Sequence, residues 1–280
     1  MPKTKVVLTL LCRDESDIID AFCKFHLSKG VDHIIATDNG SIDGTREILC
    51  SYRDRGLLSL VDEPKHNYDQ AVWVTRMAQQ AAVELNADWV INSDVDEFWW
   101  PRSKNYQHIF DSIPLDIQAI TITRKNFIPP HSKQLNQPFW KSMLIREQNS
   151  CNSLGQPLPP KICHRGIKDI QVGFGNHTAD SPSLTIRAAN YKDIEILHYP
   201  IRSYHQLERK IRQGSAALRL NSRIAPGTGG TWHYINDEYL NQGSLSEYYE
   251  SLRPDSTTLS QHMLSGVFIE DLRLYNSLSG

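Results

Sequence analysis

The run Val6-Val7-Leu8-Thr9-Leu10-Leu11-Cys12 breaks off abruptly into Arg13-Asp14-Glu15. A continuous apolar, β-branched segment of this kind reads as a strand buried on both faces, which is the habit of a mainly parallel sheet. Working outward, Ser16 is placed to cap a helix in which Ile18, Phe22 and Phe25 recur at helical spacing, and Gly30 stands where a helix C-cap belongs. His33 to Thr37 reads as a second strand, ending in the turn-forming residues Asp38-Asn39-Gly40-Ser41-Ile42-Asp43-Gly44-Thr45. Asp43 can cap a helix running through Cys50, whereas Asp38 at the strand tip has no capping duty in this reading. Leu57 to Val61 is a third strand, and Ala71 to Leu85 is the longest helix of this half, with Val74, Met77, Ala78, Ala81, Ala82 and Leu85 in one stripe. Trp89-Val90-Ile91 is a fourth strand that runs into Asn92-Ser93-Asp94-Val95-Asp96.

Strand and helix alternate throughout, so the expected fold is α/β, a doubly wound, mostly parallel sheet sandwiched by helices. In such sheets ligands bind beyond the carboxyl ends of the strands. Three polar loops fall at such ends: Arg13 to Glu15, Asp38 to Asp43, and Asp94 to Glu97. They are expected to converge in space. Asp94 and Asp96 lie two residues apart, so on an extended backbone both lean to one side. Hard cations such as Mg²⁺ or Mn²⁺ take oxygen ligands, commonly one or two carboxylates with substrate phosphates. The plainer reading is that these acids merely terminate a strand. A phosphatase of the haloacid dehalogenase type also uses a strand-end Asp-x-Asp, but near the first strand and with a small residue where Phe98 stands. No G-x-G-x-x-G follows the first strand, which argues against a nicotinamide-dinucleotide domain.

The chain has 280 residues, with 30 basic against 32 acidic side chains and a formal charge of −2. It is long enough for one large core, and its 40% hydrophobic content excludes a disordered chain. The balance argues against a dedicated nucleic-acid binder but says nothing against small anions. The N-terminal apolar run is far below the ~20 residues of a membrane span. Five scattered cysteines without a C-x-x-C pair suggest reduced thiols in a cytoplasmic protein.

Four segments resemble a known family: Leu10-Leu11-Cys12-Arg13-Asp14-Glu15, Phe25-His26-Leu27-Ser28-Lys29-Gly30-Val31-Asp32-His33, Asp38 to Thr45, and Asp94-Val95-Asp96-Glu97-Phe98. In register they resemble a nucleotide-sugar-dependent glycosyltransferase of the GT-A fold, close to glycosyltransferase family 2 and similar also to the family 92 type domain. His198-Tyr199-Pro200-Ile201-Arg202-Ser203, with Lys210 and Gly214, looks like the family's C-terminal signature. The resemblance implies that Asp38 contacts the base, that Leu11, Arg13 and Glu15 line the nucleotide pocket, and that Asp94 and Asp96 hold a divalent metal (Mn²⁺ or Mg²⁺), with Asp94 also near the ribose. It makes His198 a third metal ligand, against the plainer reading of a packed core histidine. Arg202 and Lys210 would neutralise diphosphate oxygens, or else be solvated helix charges. The implied donor is a nucleotide-diphosphate sugar, and the implied acceptor a carbohydrate or glycoconjugate, as in polysaccharide assembly. An inverting member needs a general base, for which Asp180 and Glu195 are the carboxylate candidates and His177 stays open.

The second half reads less clearly. Ala119 to Thr123 is a strand candidate, Pro129-Pro130 and Pro157 to Pro160 mark loops, and Ser203 to Leu220 is helical. Trp99, Trp100, Phe139 and Trp140 are candidates for stacking on sugars or for the core. Gly227 to Gly230 reads as a mobile loop. The expected organisation is a glycosyltransferase domain over 1–220, with donor residues in 1–100 and acceptor residues in 101–220, then a C-terminal helical appendage over 221–280. Competing functions are a non-catalytic nucleotide or carbohydrate-binding module of the same fold and a sugar nucleotidyltransferase, although the Gly-rich, Lys-containing first loop of the latter is not apparent.

Overall fold

The computed structural model describes residues 3–130, 137–221 and 228–279. The first half alternates as expected: β1 (Val6–Cys12), α1 (Ile19–Ser28), β2 (His33–Asp38), α2 (Thr45–Asp54), β3 (Leu58–Asp62), α3 (Gln70–Val83), β4 (Trp89–Asp94) and β5 (Glu97–Pro101). Three later strands, β6 (Ala119–Ile122), β7 (Lys161–Arg165) and β8 (Ala188–Asn190), complete a seven-stranded sheet in the order β8-β6-β7-β4-β1-β2-β3. β1 to β4 are mutually parallel where they pair, β8 is parallel to β6, and β7 runs antiparallel to both β4 and β6. The α/β class with a mostly parallel sheet is therefore observed.

Burial explains the strands. Val6, Val7, Leu8 and Leu10 are 0% exposed, as a central strand requires. The stripe on α3 packs on the sheet, with Val74, Met77, Ala78 and Ala81 against Val7, Ile35, Val90, Ala119 and Ile162. Full burial of Val74 or Met77 is worth about 1.5–3 kcal/mol each.

Some local expectations are corrected. Ser16 does not cap α1: the N-cap position is Ile18, without a side-chain bond, and the Ser16 amide donates instead to Asp43 Oδ2 at 3.1 Å. Gly44, with φ +97°, is the N-cap of α2, and Asp43 acts one residue earlier, accepting from the Thr45 amide at 3.1 Å and its hydroxyl at 2.6 Å. Gly30 does follow the end of α1, with φ +101° and its amide on Leu27 O at 3.2 Å. β4 extends three residues past Ile91, because Asn92 and Ser93 are buried in it; the Thr9 hydroxyl donates to Asn92 Oδ1 at 2.8 Å. Of the aromatics considered for sugar stacking, Trp99 and Phe139 are buried core.

Two compact units are present. The first comprises residues 1–65, 69–124 and 159–196 and contains the whole seven-stranded sheet. The second comprises 66–68, 125–158 and 197–280. Its longest helix is α4 (Tyr204–Leu220), capped by Ser203, whose Oγ accepts from the Gln206 amide at 3.1 Å. Leu207 and Ile211 of α4 pack with Ile235, Leu245, Tyr248 and Tyr249 in a separate core. Gly227 of the expected mobile loop lies outside the described residues, and Gly229 is the N-cap of a short helix, Gly230–Ile235.

Candidate active site

The parallel register aligns the strand tips. Leu11 lies opposite Asp94 on one side of β1 and opposite Thr37 on the other, and Cys12 lies opposite Asp38. The three polar loops therefore converge, with the backbones of Asp38 and Asp94 two strand spacings apart, about 10 Å.

The loops after β1 and β2 are knitted together. Asp14, 2% exposed and at φ +55°, accepts from the Ile42 amide through Oδ1 at 2.8 Å, while its own amide donates to Ser41 Oγ at 3.0 Å. The Ser41 amide donates to Asp38 Oδ1 at 3.2 Å, and the Ser41 hydroxyl donates to the same oxygen. Asp38 thus has a turn-holding duty that the sequence reading denied it. Glu15 donates its amide to Thr45 Oγ1 at 2.7 Å, and its carbonyl accepts from Ile18 and Ile19. Arg13 is partly exposed beside Asp14, with Nε 3.9 Å from Oδ2. Leu11 packs on the core under these loops.

At the tip of β4 the backbone does not stay extended. Val95 and Asp96 form a turn into β5, so the two-residue alternation stops at Asp94. The side chain of Asp94 is 37% exposed, whereas Asp96 is buried. The expected pair leaning to one side is replaced by one outward and one inward carboxylate.

Lys161, the first residue of β7, brings an ammonium to this tip. It donates to Asp94 Oδ2 and lies 3.1 Å from Glu97 Oε1, with its own side chain buried. Burial disfavours the charge on Lys161, but Asp94 and Glu97 outweigh it and hold the pKa above the ordinary lysine value. Arg124 Nη1 lies 3.4 Å from the same Glu97 oxygen, and its Nη2 donates to Pro159 O at 3.0 Å. Glu97 Oε2 is buried without a hydrogen-bond partner. The second oxygen of Asp94, Oδ1, accepts from Asn176 Nδ2 at 3.2 Å.

The base candidates are scattered. Asp180 is exposed on a short hairpin, paired with Gln171. Glu195 is buried, with Oε1 3.7 Å from Arg102 Nη2. His177 follows Asn176; its Nδ1 donates to Pro160 O at 2.8 Å, and burial, reinforced by Lys161, pulls its pKa down to about 4. In the second unit, His198 Nδ1 bonds Asn126 Oδ1 at 2.7 Å, and Arg202 is buried with Nη1 donating to Tyr199 O at 3.2 Å. Lys210 is half-buried on α4.

A divalent cation is compatible with this donor set. Asp94 has about four lone-pair sites, of which protein donors use two, and its carboxylate is the accessible one. Among the described residues no group of three or more His, Cys, Asp or Glu is arranged to hold a metal ion, so further ligands would be diphosphate oxygens and water. Lys161, Arg124, Asn176 and Gln70 were not singled out from the sequence. Lys161 stands between Pro160 and the apolar Ile162-Cys163, a lone charge at the head of a buried strand, and that was the available signal.

Comparison with known proteins places the chain. The model of glycosyltransferase family 92 matches residues 14–215. The chain belongs to glycosyltransferase family 92. The match runs from the loop after β1 into α4 and includes every candidate site residue except Leu11 and Arg13. Among solved structures, S. aureus TarS 1–349 is similar at 14% identity, with 75% of this chain and 65% of that chain covered and a TM-score of 0.41. The same fragment in complex with UDP-GlcNAc shares 14% identity over 75% of this chain and 66% of that one, with a TM-score of 0.43. Glucosyl-3-phosphoglycerate synthase from Mycobacterium tuberculosis, in complex with Mn²⁺, UDP and glucosyl-3-phosphoglycerate, shares 13% identity over 80% and 81% of the two chains, with a TM-score of 0.36. The chain thus spans about two thirds of the TarS fragment. A comparison with curated proteins found no match. Among the described residues no helix is long and apolar enough to cross a membrane.

Proposed function

We propose that this family 92 chain transfers a sugar, with inversion, from a nucleotide-diphosphate donor to a carbohydrate or glycoconjugate acceptor. The observation that carries the reading is Asp94: a half-exposed carboxylate at the tip of β4, in register with Leu11 and beside the loops that hold Arg13 and Asp38. Asp38, buried and held through Oδ1 by Ser41, contacts the base in this reading, and Arg13 with Glu15 borders the nucleotide. Residues 1–100 carry this donor half, and the acceptor falls to 101–220. Asp94 would take up Mn²⁺ or Mg²⁺ together with diphosphate oxygens and water; Asp96 and His198, which the family resemblance adds as ligands, form no three-residue metal group with it among the described residues. When bound, the cation stabilises the charge that develops on the departing diphosphate. Arg202 and Lys210 serve the same diphosphate as cations in this reading.

The acceptor hydroxyl must lose a proton. His177 is neutral at pH 7 and adjoins the residue that touches Asp94, so its Nε2 is a third candidate acceptor of that proton beside Asp180 and Glu195. Free thiols at Cys12, Cys23, Cys50, Cys151 and Cys163 suit a reducing cytoplasm. The test is thermal unfolding with UDP, GDP, CDP and ADP, each with and without Mn²⁺. One nucleotide is expected to raise Tm in a Mn²⁺-dependent way, and Asp94→Asn to abolish the shift. Equal shifts in the wild type and Asp94→Asn would refute the reading.

A further inference from the structure

The loop over 173–178 grips the β4 tip through buried amides. Asn176 is 1% exposed and adopts φ +59°, a conformation that costs a non-glycine residue free energy and persists only where its surroundings enforce it. Gln70, the first residue of α3 and also buried, does the enforcing: its Oε1 accepts from the Gly175 amide at 2.7 Å, and its Nε2 donates to Asn176 Oδ1 at 2.8 Å. Gly175, at φ +70°, leaves no room for a Cβ, which would lie 2.7 Å from the His177 ring. With its oxygen taken by Gln70, Asn176 presents Nδ2 to Asp94 Oδ1 at 3.2 Å. Lys161 meets Oδ2 from the β7 side.

Each Asp94 oxygen therefore receives one bond from a side chain that is itself buried, while the Asp94 side chain stays 37% exposed. A peg needed only for packing has no reason to end on an exposed carboxylate from both sides. We propose that Asn176 and Lys161 are positioning residues that act through Asp94: they fix the plane of its carboxylate and leave its remaining lone pairs directed outward, toward the donor diphosphate and its cation. This rests on the nucleotide-sugar reading above and adds two residues to it. Partners of this kind behind a binding carboxylate are worth roughly 10–100-fold in affinity or activity.

A double-mutant cycle separates this role from a structural one. Asn176→Gly removes the amide while glycine keeps the left-handed backbone without strain. UDP, GDP, CDP and ADP are titrated in turn with Mn²⁺ by calorimetry into wild type, Asp94→Ala, Asn176→Gly and the double variant. The expected result, measured at a temperature where every variant is fully folded, is a Kd raised about tenfold in Asn176→Gly and a double variant no weaker than Asp94→Ala alone. The same Kd as wild type in Asn176→Gly, or an equal weakening in both backgrounds, overturns the positioning role while leaving the nucleotide site standing. Absence of binding to the wild type, or an Asp94→Ala variant that binds like it, overturns the nucleotide reading and this inference together. Lys161→Met gives the second arm: in the Asp94→Ala background it too is expected to add no further loss, and an additive loss removes Lys161 from the proposal.

Discussion

At the scale of single residues, buried polar groups decide more here than apolar ones. Lys161 is the clearest case: its ammonium serves both Asp94 and the fully buried Glu97, where water cannot replace it. Lys161→Met would take from the buried Glu97 the cation at 3.1 Å and leave it Arg124 at 3.4 Å, so a loss of about 3 kcal/mol is expected in urea unfolding. A loss below about 1 kcal/mol would show that the ammonium is not needed. His26 is another. Its Nδ1 donates to Phe22 O at 2.9 Å and its Nε2 accepts from the Trp99 amide at 3.3 Å, so protonation would turn an acceptor into a clash of donors. Burial holds its pKa down to about 3, and that of the buried His164 down to about 4. Because both folded values lie below the ordinary 6.5, the unfolded chain binds protons first as pH falls. Stability is full above 6.5 and declines from there toward pH 3–4, by up to about 1.4 kcal/mol per pH unit for each histidine. His26→Leu is therefore expected to flatten the fall of stability between pH 6.5 and 4, measured as urea midpoints; an unchanged slope would contradict a neutral His26. The sequence offered His26 only as part of a family motif, because nothing local reveals that its ring is sealed between Phe22, Phe25 and Phe98.

At the scale of elements, what periodicity encodes was legible and what tertiary contact encodes was not. The alternation from β1 to β4 and the apolar stripe of α3 could be read because burial on both faces, or on one stripe, leaves a direct trace in residue type. β4 runs longer than its apolar residues suggest, because Asn92 and Ser93 look like loop residues until their buried partners are known. β7 leaves little trace in the sequence because Lys-Ile-Cys-His-Arg is short and polar at both ends, yet it inserts antiparallel between β4 and β6. The seat of β7 is tested at Gly166, the residue after it. Its amide donates to Asp88 O at 2.9 Å, and an added Cβ would stand 1.8 Å from the Ala87 carbonyl oxygen, a backbone atom that cannot rotate away. Gly166→Ala is expected to cost about 1–3 kcal/mol by overpacking, read from denaturant midpoints. A neutral result would mean that β7 shifts freely, and with it Lys161.

At the scale of the molecule, the near-neutral charge fits a protein whose charges are used locally. Acids sit at the tips of β2 and β4, and Lys161 with Arg124 is set among those of β4. The strand-tip convergence followed from the order of elements alone, and the candidate site was legible to that extent: Asp38 and Asp94 lie at neighbouring loops, as expected. The partners of Asp94 were not legible, since Lys161 and Asn176 are 67 and 82 residues away in sequence and reach it only through the sheet and the loop clamped by Gln70. Asp94 serving a nucleotide-sugar donor is the proposal on which the rest depends. Its most direct measurement is release of nucleoside diphosphate from a panel of nucleotide sugars with Mn²⁺, comparing the wild type with Asp94→Asn at equal folded fraction. Release by the wild type from at least one donor is expected, with a loss of about 100-fold or more in Asp94→Asn. Equal release by the two proteins, or none by the wild type from any donor, would contradict the proposal.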